Sequence, residues 1–476
     1  MNMKKKILVF AVLIFSITAF EKTHSQSNLK EEIPVPTGLM GNRFVTYCIP
    51  IRTSPWEVSR DVKLLEGDEG EYHTLKVVKD MRQTFAKACP DGRLTWAFSL
   101  NALEDQRVNY KQIRDYVVKC HYKYGDEVTY FPCNFPAFFL PRARINKEMK
   151  EAIDEISRMV GNNYRPQCVM PGFISAKNLK YLSDSLNIHV AHANIWSQHA
   201  VDAGGADGSI SYPYYPSLEH FCKPAQGKAD FVDCVSLDGW SVDFINALVS
   251  GGVVGTTPYN QSCSRRGVGP IETYCEWGLE IGQLSVMHTE EIHFNEGFKL
   301  NGFGFVPVIW EAALLKRKER IHSSYANLLK ALNTFIIETK KKWPDVKFVS
   351  FGEFGEIWRN QYKENSFDYR FVEKGLGIGS SWGDEEIRWF MNKDFRLALL
   401  HNWHKKTPEL VVDFTRYDLP AHKPTDPSPE HPVTDWSLMN VINQKGLRPQ
   451  DNPIPLTELK PEDQALIKKH YPELFK

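Results

Sequence analysis

The stretch QLSVMHTEEIHF, residues 283–294, puts two histidines and two carboxylates within one short run. An apolar segment stops at His288, Glu290 and Glu291 follow, and His293 comes after them. In an extended chain alternate side chains share a face, so His288 and Glu290 point one way and Thr289 and Glu291 the other. A second acidic site closes the run VKFVSFGE at Glu353, with Glu356 one step further on. If both runs are strands of one parallel sheet, their ends bring Glu290 and Glu353 to a single mouth, where reactive groups collect in such folds. Two carboxylates flanking a sugar are what glycosidic cleavage needs: one protonates the leaving oxygen, the other attacks or activates water. Burial and mutual repulsion would keep one of them protonated as the acid, with His288 to orient it. Asp238, in SLDGWS, is a further candidate nucleophile.

Plainer readings stand beside these. Glu290 and Glu291 also suit a solvated strand end, and Glu353 and Glu356 suit helix capping. Asp before Gly, as at Asp238, is ordinary turn chemistry. His189 and His192 lie on opposite faces of an apolar strand and read as buried, hydrogen-bonded histidines, and His288 with His293 lacks a familiar metal-ligand spacing, so no metal is expected. Trp56, Trp196 and Trp240 fall at strand ends or in loops, and Tyr214 lies in the loop-rich run DAGGADGSISYPYYPS, where aromatic rings can serve as sugar platforms or pack into a core.

The elements that must position these residues alternate along the chain. Strands are read at 43–49, 93–100, 127–131, 167–172 and 188–196, then at 284–288 and 346–353. Helical stripes intervene at 74–88, at 147–160 before Gly161, from Ser175 to Leu186, at 271–281 and at 324–342. Another helix is read as capped by Asn109 with Gln112, buried through Ile113, Tyr116, Val117 and Cys120, and ended at Gly125. Strand–helix alternation implies parallel strands with helices packed outside. The long excursion 200–282 interrupts it. Beyond residue 380 the texture becomes β-rich, with strands at 387–403 and 409–415, then a proline-rich tail closing in a helix at 461–471.

Lys4, Lys5 and Lys6 precede an apolar run to Phe20, with Thr23 and Ser25 at the positions of a cleavage site. Residues 1–25 therefore read as a secretory signal peptide, and the mature protein is expected in a periplasm or outside the cell, without a membrane anchor. Lys plus Arg and Asp plus Glu both number 58, a balance that argues against nucleic-acid partners. The nine cysteines include no C-x-x-C pair, so a thiolate zinc site is not expected. Oligomeric state is not legible.

Taken in order, YGDEVTYF (124–131), VMPG (169–172), VMH (286–288) and TKKKWPDVKFVSFGE (339–353) resemble the motifs of the glycoside hydrolase/carbohydrate deacetylase superfamily. That resemblance implies a (β/α)7 TIM-like barrel over residues 26–380, with 381–476 a smaller β-rich region plus tail, and a carbohydrate substrate. The family's metal site does not carry over: its aspartates would fall near Cys48 and Ile49, its histidine near Phe131 and its arginine near Val169. The reading is an exported, metal-independent, cofactor-free glycoside hydrolase. A deacetylase with a rearranged metal site and a catalytically inactive sugar-binding barrel are the alternatives.

Overall fold

The computed structural model describes residues 38–54, 68–132, 136–170, 174–192, 211–237, 270–315, 324–375, 385–402, 408–421, 423–428, 430–431, 433, 438 and 454–476. Strand β1 (Arg43–Ile51) is buried from Phe44 onward. It is the axis of a five-stranded parallel sheet. β2 (Thr95–Phe98) lies along its second half, with β3 (Glu127–Tyr130) beyond. β4 (Cys168–Val169), β5 (Val190–His192) and β6 (Val235–Leu237) form a separate three-stranded parallel sheet. β7 (Gly304–Ile309) flanks β1 along Arg43–Cys48, and the short β8 (Lys347–Val349) pairs with Phe44–Thr46. The protein is thus mixed α/β with parallel strands and helices between them. A bond from the amide of Met170 to the carbonyl of Tyr130, 2.9 Å, links the two sheets beside β3 and β4.

The helices follow the expected stripes. α1 (Leu75–Ala88) is capped by Thr74 and buries Val77, Val78, Met81 and Phe85. After the one-turn α2 (Leu100–Glu104) comes α3 (Val108–Tyr124), which ends on Gly125 in the left-handed conformation that glycine tolerates. Its N-cap is Arg107 rather than Asn109, whose amide instead donates to the carbonyls of Gly70 and His73. The short α4 (Pro136–Phe139) precedes α5 (Arg142–Val160), and α6 (Ala176–Leu186) carries a capping box between Ser175 and Asn178.

The strand expected at 284–288 is helix. α7 runs from Pro270 to Glu291, kinks at Gly278, continues as one π turn (Ile292–Glu296), and is followed by α8 (Gly297–Asn301). Gly282, Val286, Glu290 and His293 are buried at helical spacing while Leu284 is exposed. A short apolar run suits either structure, and only packing decides. The true strands in this region are β6 and β7, and β7 holds Pro307. Proline's missing N–H is tolerated because, among the described residues, β7 has a strand partner only in β1.

After α9 (Tyr325–Lys342) and β8, helix α10 (Phe351–Gln361) packs on one face of the sheet. Strand register places Phe44, Thr46 and Cys48 on one face with Phe305, Pro307, Ile309, Thr95 and Glu127. Phe354 of α10 stacks on Phe305 at 3.7 Å between ring centroids and leans on Phe44. Gly355 is required there, since a Cβ would come within 2.3 Å of Val190. The Glu127 carboxylate accepts from the amides of Gln167, Cys168 and Gly352, fastening α10 to β3 and β4.

The C-terminal region is a five-stranded antiparallel sheet in the order β13-β12-β11-β10-β9. Its strands are β9 (Asp368–Lys374), β10 (Glu385–Asn392), β11 (Phe395–Asn402), β12 (Leu410–Arg416) and β13 (Ile454–Pro455). β9 belongs to this sheet although it precedes residue 380. A separate apolar cluster of Phe395, Leu397, Phe414, Ile467 and Tyr471 joins it to α11 (Pro461–His470). No described helix is long and apolar enough to cross a membrane.

Candidate functional site

In a parallel sheet the chemistry collects where the strands end. At that end β1 delivers Arg52 and β7 delivers Glu311. The Arg52 guanidinium grips Glu69 with both arms, at 2.6 and 3.2 Å, and reaches Glu311 at 2.9 Å. Glu69 comes from the segment after β1, closed where its amide donates to the carbonyl of Thr53. Tyr110 of α3 fixes the Arg52 backbone by donating to its carbonyl at 2.7 Å. Burial alone would raise the Glu69 carboxyl, but Arg52 together with His73 holds it well below the ordinary carboxylate range. The His73 ring stands 3.7 Å from Glu69, and burial lowers its pKa from the ordinary histidine value. Glu311 alone among the three charged partners is partly open, at 13% side-chain exposure against 3% and 2% for Arg52 and Glu69. One oxygen of Glu311 is committed to Arg52 and the side chain is partly open, a disposition that suits a base or nucleophile.

His192 ends β5 on the same face as Val190, toward α10, and its ring stands 6.0 Å from Phe351. It is fully buried, and neither ring nitrogen has a hydrogen-bond partner among the described residues. Burial lowers its pKa to about 3, so it is a neutral imidazole. Cys48 and Cys168 on the same face are buried thiols pushed well up by desolvation, poor nucleophiles. Among the described residues no cluster of three or more His, Cys, Asp or Glu could hold a metal ion.

The residues singled out from sequence fall elsewhere. Glu290 is fully buried on α7, where one oxygen accepts from Thr339 at 2.7 Å and the other has no partner among the described residues. Burial raises its carboxyl well above the ordinary range. Glu353 closes a capping box with Ser350 and pairs with Arg93, which precedes β2. That is the opposite end of the strands from Arg52. The two carboxylates share no partner and do not form a pair, because 284–288 is helix and Glu353 starts α10 instead of ending a strand.

His288 donates through Nε2–H to the carbonyl of Lys374 at 2.6 Å, tying α7 to β9. His293 meets the Tyr212 hydroxyl at 2.6 Å and is neutral, its pKa near 3 through burial. His189 bonds the Asp233 carbonyl before β6 begins. Tyr214 is buried and donates to the Phe221 carbonyl, so it packs and offers no sugar platform. Asp238, Trp56, Trp196 and Trp240 lie outside the described residues.

One measurement follows from the isolated Glu290 carboxyl. Glu290→Gln keeps an acceptor for Thr339 and removes an ionisable group from the interior. The variant is expected to be more stable at neutral pH by about 1–3 kcal/mol. Because the folded-state pKa is raised, ionisation opposes folding as pH climbs above 4.5 toward that value, so the gain grows across this window. Denaturant titrations at several pH values check it; a variant less stable than wild type at every pH overturns the reading.

Arg52, Glu69, His73 and Glu311 were not selected from sequence. The run VPVIWE, apolar up to the carboxylate of Glu311, carries a signal for this site, although Pro307 within it is a contrary sign for a strand.

Comparison with known proteins accords with this architecture. A crystal structure from Parabacteroides distasonis, described as a "putative glycoside hydrolase/deacetylase", is 60% identical, covers 92% of this chain and 100% of that one, and has a TM-score of 0.85. A GH57-type branching enzyme from the archaeon Pyrococcus horikoshii is 11% identical over 71% of this chain and 73% of that one, TM-score 0.36. The α-amylase AmyC from Thermotoga maritima is 12% identical over 72% and 78%, TM-score 0.37. Likenesses as low as these two carry no argument. No curated protein matches. Residues 396–474 match DUF3864, and residues 37–391 match DUF3863, each described as a domain of unknown function with a solved structure. The division between them falls in the turn joining β10 to β11 and so cuts through one sheet. By a match over most of its length, this chain belongs to the DUF3863 family.

Proposed function

We propose that this protein is an exported carbohydrate-active hydrolase that cleaves glycosidic bonds at the C-terminal ends of its parallel strands. The observation that carries the reading is Glu311, a part-open carboxylate held on Arg52 just past β7. Support also comes from the relative described as a glycoside hydrolase/deacetylase. The second carboxylate of the pair is assigned to Asp238, the first residue after β6. In this scheme Arg52 holds one oxygen of Glu311, which acts as base or nucleophile, and Asp238 serves as the acid. His192, neutral and with no hydrogen-bond partner among the described residues, offers one donor and one acceptor to a sugar hydroxyl. The reaction needs no group beyond these side chains and water.

The test is a panel of oligo- and polysaccharides, acetylated and not, given to the mature chain and to Glu311→Gln and Asp238→Asn. New reducing ends that vanish in both variants support the reading. Acetate release without new reducing ends would replace it with deacetylation. Export is checked separately: the mature N-terminus recovered from the native host should begin after Ser25.

A further inference from the structure

α5 and α6 come after β3 and β4, so their N-termini lie on the C-terminal side of those parallel strands, as Arg52 and Glu311 do of β1 and β7. They are adjacent: the Asn178 side chain donates to the Arg142 carbonyl at 2.9 Å. Helix N-termini carry partial positive charge, and proteins usually place Asp or Glu there. Neither first turn has an acidic residue, and α5 has no side-chain cap. Arg142 opens α5 and the exposed Lys177 lies in the first turn of α6, both of the wrong sign.

The C-terminal tail adds a third cation. Lys423 reaches in beside Arg142, Lys177 and Cys222, with its ammonium 5.6 Å from the centre of the Phe221 ring. The residue as a whole is partly exposed, yet the nitrogen is shut off from water and has no hydrogen-bond partner among the described residues. Lysine normally does the reverse, burying its stem and leaving the charge in water. Burial, with Arg142 next in effect, pushes this ammonium well below the ordinary lysine range. Arg142 bonds the Pro424 carbonyl at 2.7 Å and pairs with the carboxylate of Asp426, which is about half exposed; its Nε is buried without a partner. Of the described residues, Asp426 is the one carboxylate that bonds any of these three cations. Charges of one sign held out of water are costly unless an opposite charge joins them.

We infer that Lys423, Arg142 and Lys177 form a subsite for an oxyanion carried by the ligand, so that the substrate is an acidic glycan bearing uronate carboxylates or sulfate esters. The glycan part rests on the hydrolase reading above; the anion part does not. An oxyanion among these groups would satisfy the Lys423 ammonium and the Arg142 Nε with charge-assisted hydrogen bonds. The tail would then carry a residue that belongs to the binding site.

Calorimetric titration of the full mature chain tests this with four probes: inorganic sulfate, a uronate-containing oligosaccharide, a sulfated oligosaccharide and a neutral oligosaccharide of the same length. The acidic probe that fits should bind at least about tenfold tighter than the neutral one. Lys423→Met and Arg142→Met should erase that preference. Lys177→Ala, at an exposed position that the fold does not need, should weaken it by about threefold. Whichever of the uronate and sulfated arms shows the preference names the anion. Equal affinity for acidic and neutral probes overturns the inference, as does a preference that survives in both Lys423→Met and Lys177→Ala. An acidic preference with no bond cleaved sinks the hydrolase reading and leaves this subsite standing. Cleavage of neutral glycans without any acidic preference does the opposite.

Discussion

Glu311→Gln is expected to lower turnover on the glycan identified by the panel by about a hundred- to ten-thousandfold, the usual worth of a positioned acid or base. The fold should survive. Arg52 keeps its two-armed grip on Glu69, and the amide oxygen still accepts from Nη2, the guanidinium nitrogen shared with Glu69, so stability should change by roughly 1 kcal/mol. This separation of activity from stability distinguishes a chemical role from a structural one. A loss under about tenfold removes Glu311 from the chemistry. A large loss with collapsed melting would assign it to the scaffold. Binding of substrate to the inactive variant, with an affinity near that of wild type, would complete the case.

Arg52→Met is expected to cost about 3–5 kcal/mol, because it strands the buried Glu69 carboxylate and the part-buried Glu311. The pH dependence has a definite sign. Glu69 is held below its ordinary pKa in the folded chain, so its contribution is present above about 4.5 and is lost as pH falls toward the folded value. Without Arg52 the burial that opposes ionisation is unanswered. The gap between wild type and variant should therefore be widest near neutral pH and narrow under acid. Arg52→Met combined with Glu69→Leu removes both charges and should recover much of the loss. Equal melting of wild type and Arg52→Met near pH 7 would falsify the claim that this ion network holds the strand ends together.

Local pattern carried a good deal of this. The stripe Val77, Val78, Met81 and Phe85, the Ser175 cap, the Gly125 stop and the strand from Arg43 were readable because each depends on residues within a turn or two of one another. The misreading of 284–288 came from a short apolar run in which strand and helix make the same demand for burial. β7 is not among the strands read from sequence; proline within a strand is usually a contrary sign, and its tolerance here depends on how β7 pairs in the sheet. The Glu290 and Glu353 pair failed for a related reason. Each has a partner remote in sequence, Thr339 for one and Arg93 for the other, and these partners set what each carboxylate does.

By itself the sequence determined the alternation of strands and helices, the apolar faces that bury them and the balanced charge, since hydrophobic period and composition are properties of neighbouring residues. Tertiary structure alone decided which acids meet which bases. Arg52 and Glu311 are 259 residues apart, and so no local pattern marks them as partners. The same holds for Lys423, whose isolation from water exists only because the tail crosses to the first turns of α5 and α6. The charge state and role of an ionisable side chain follow from its surroundings in space, and those are assembled from distant parts of the chain.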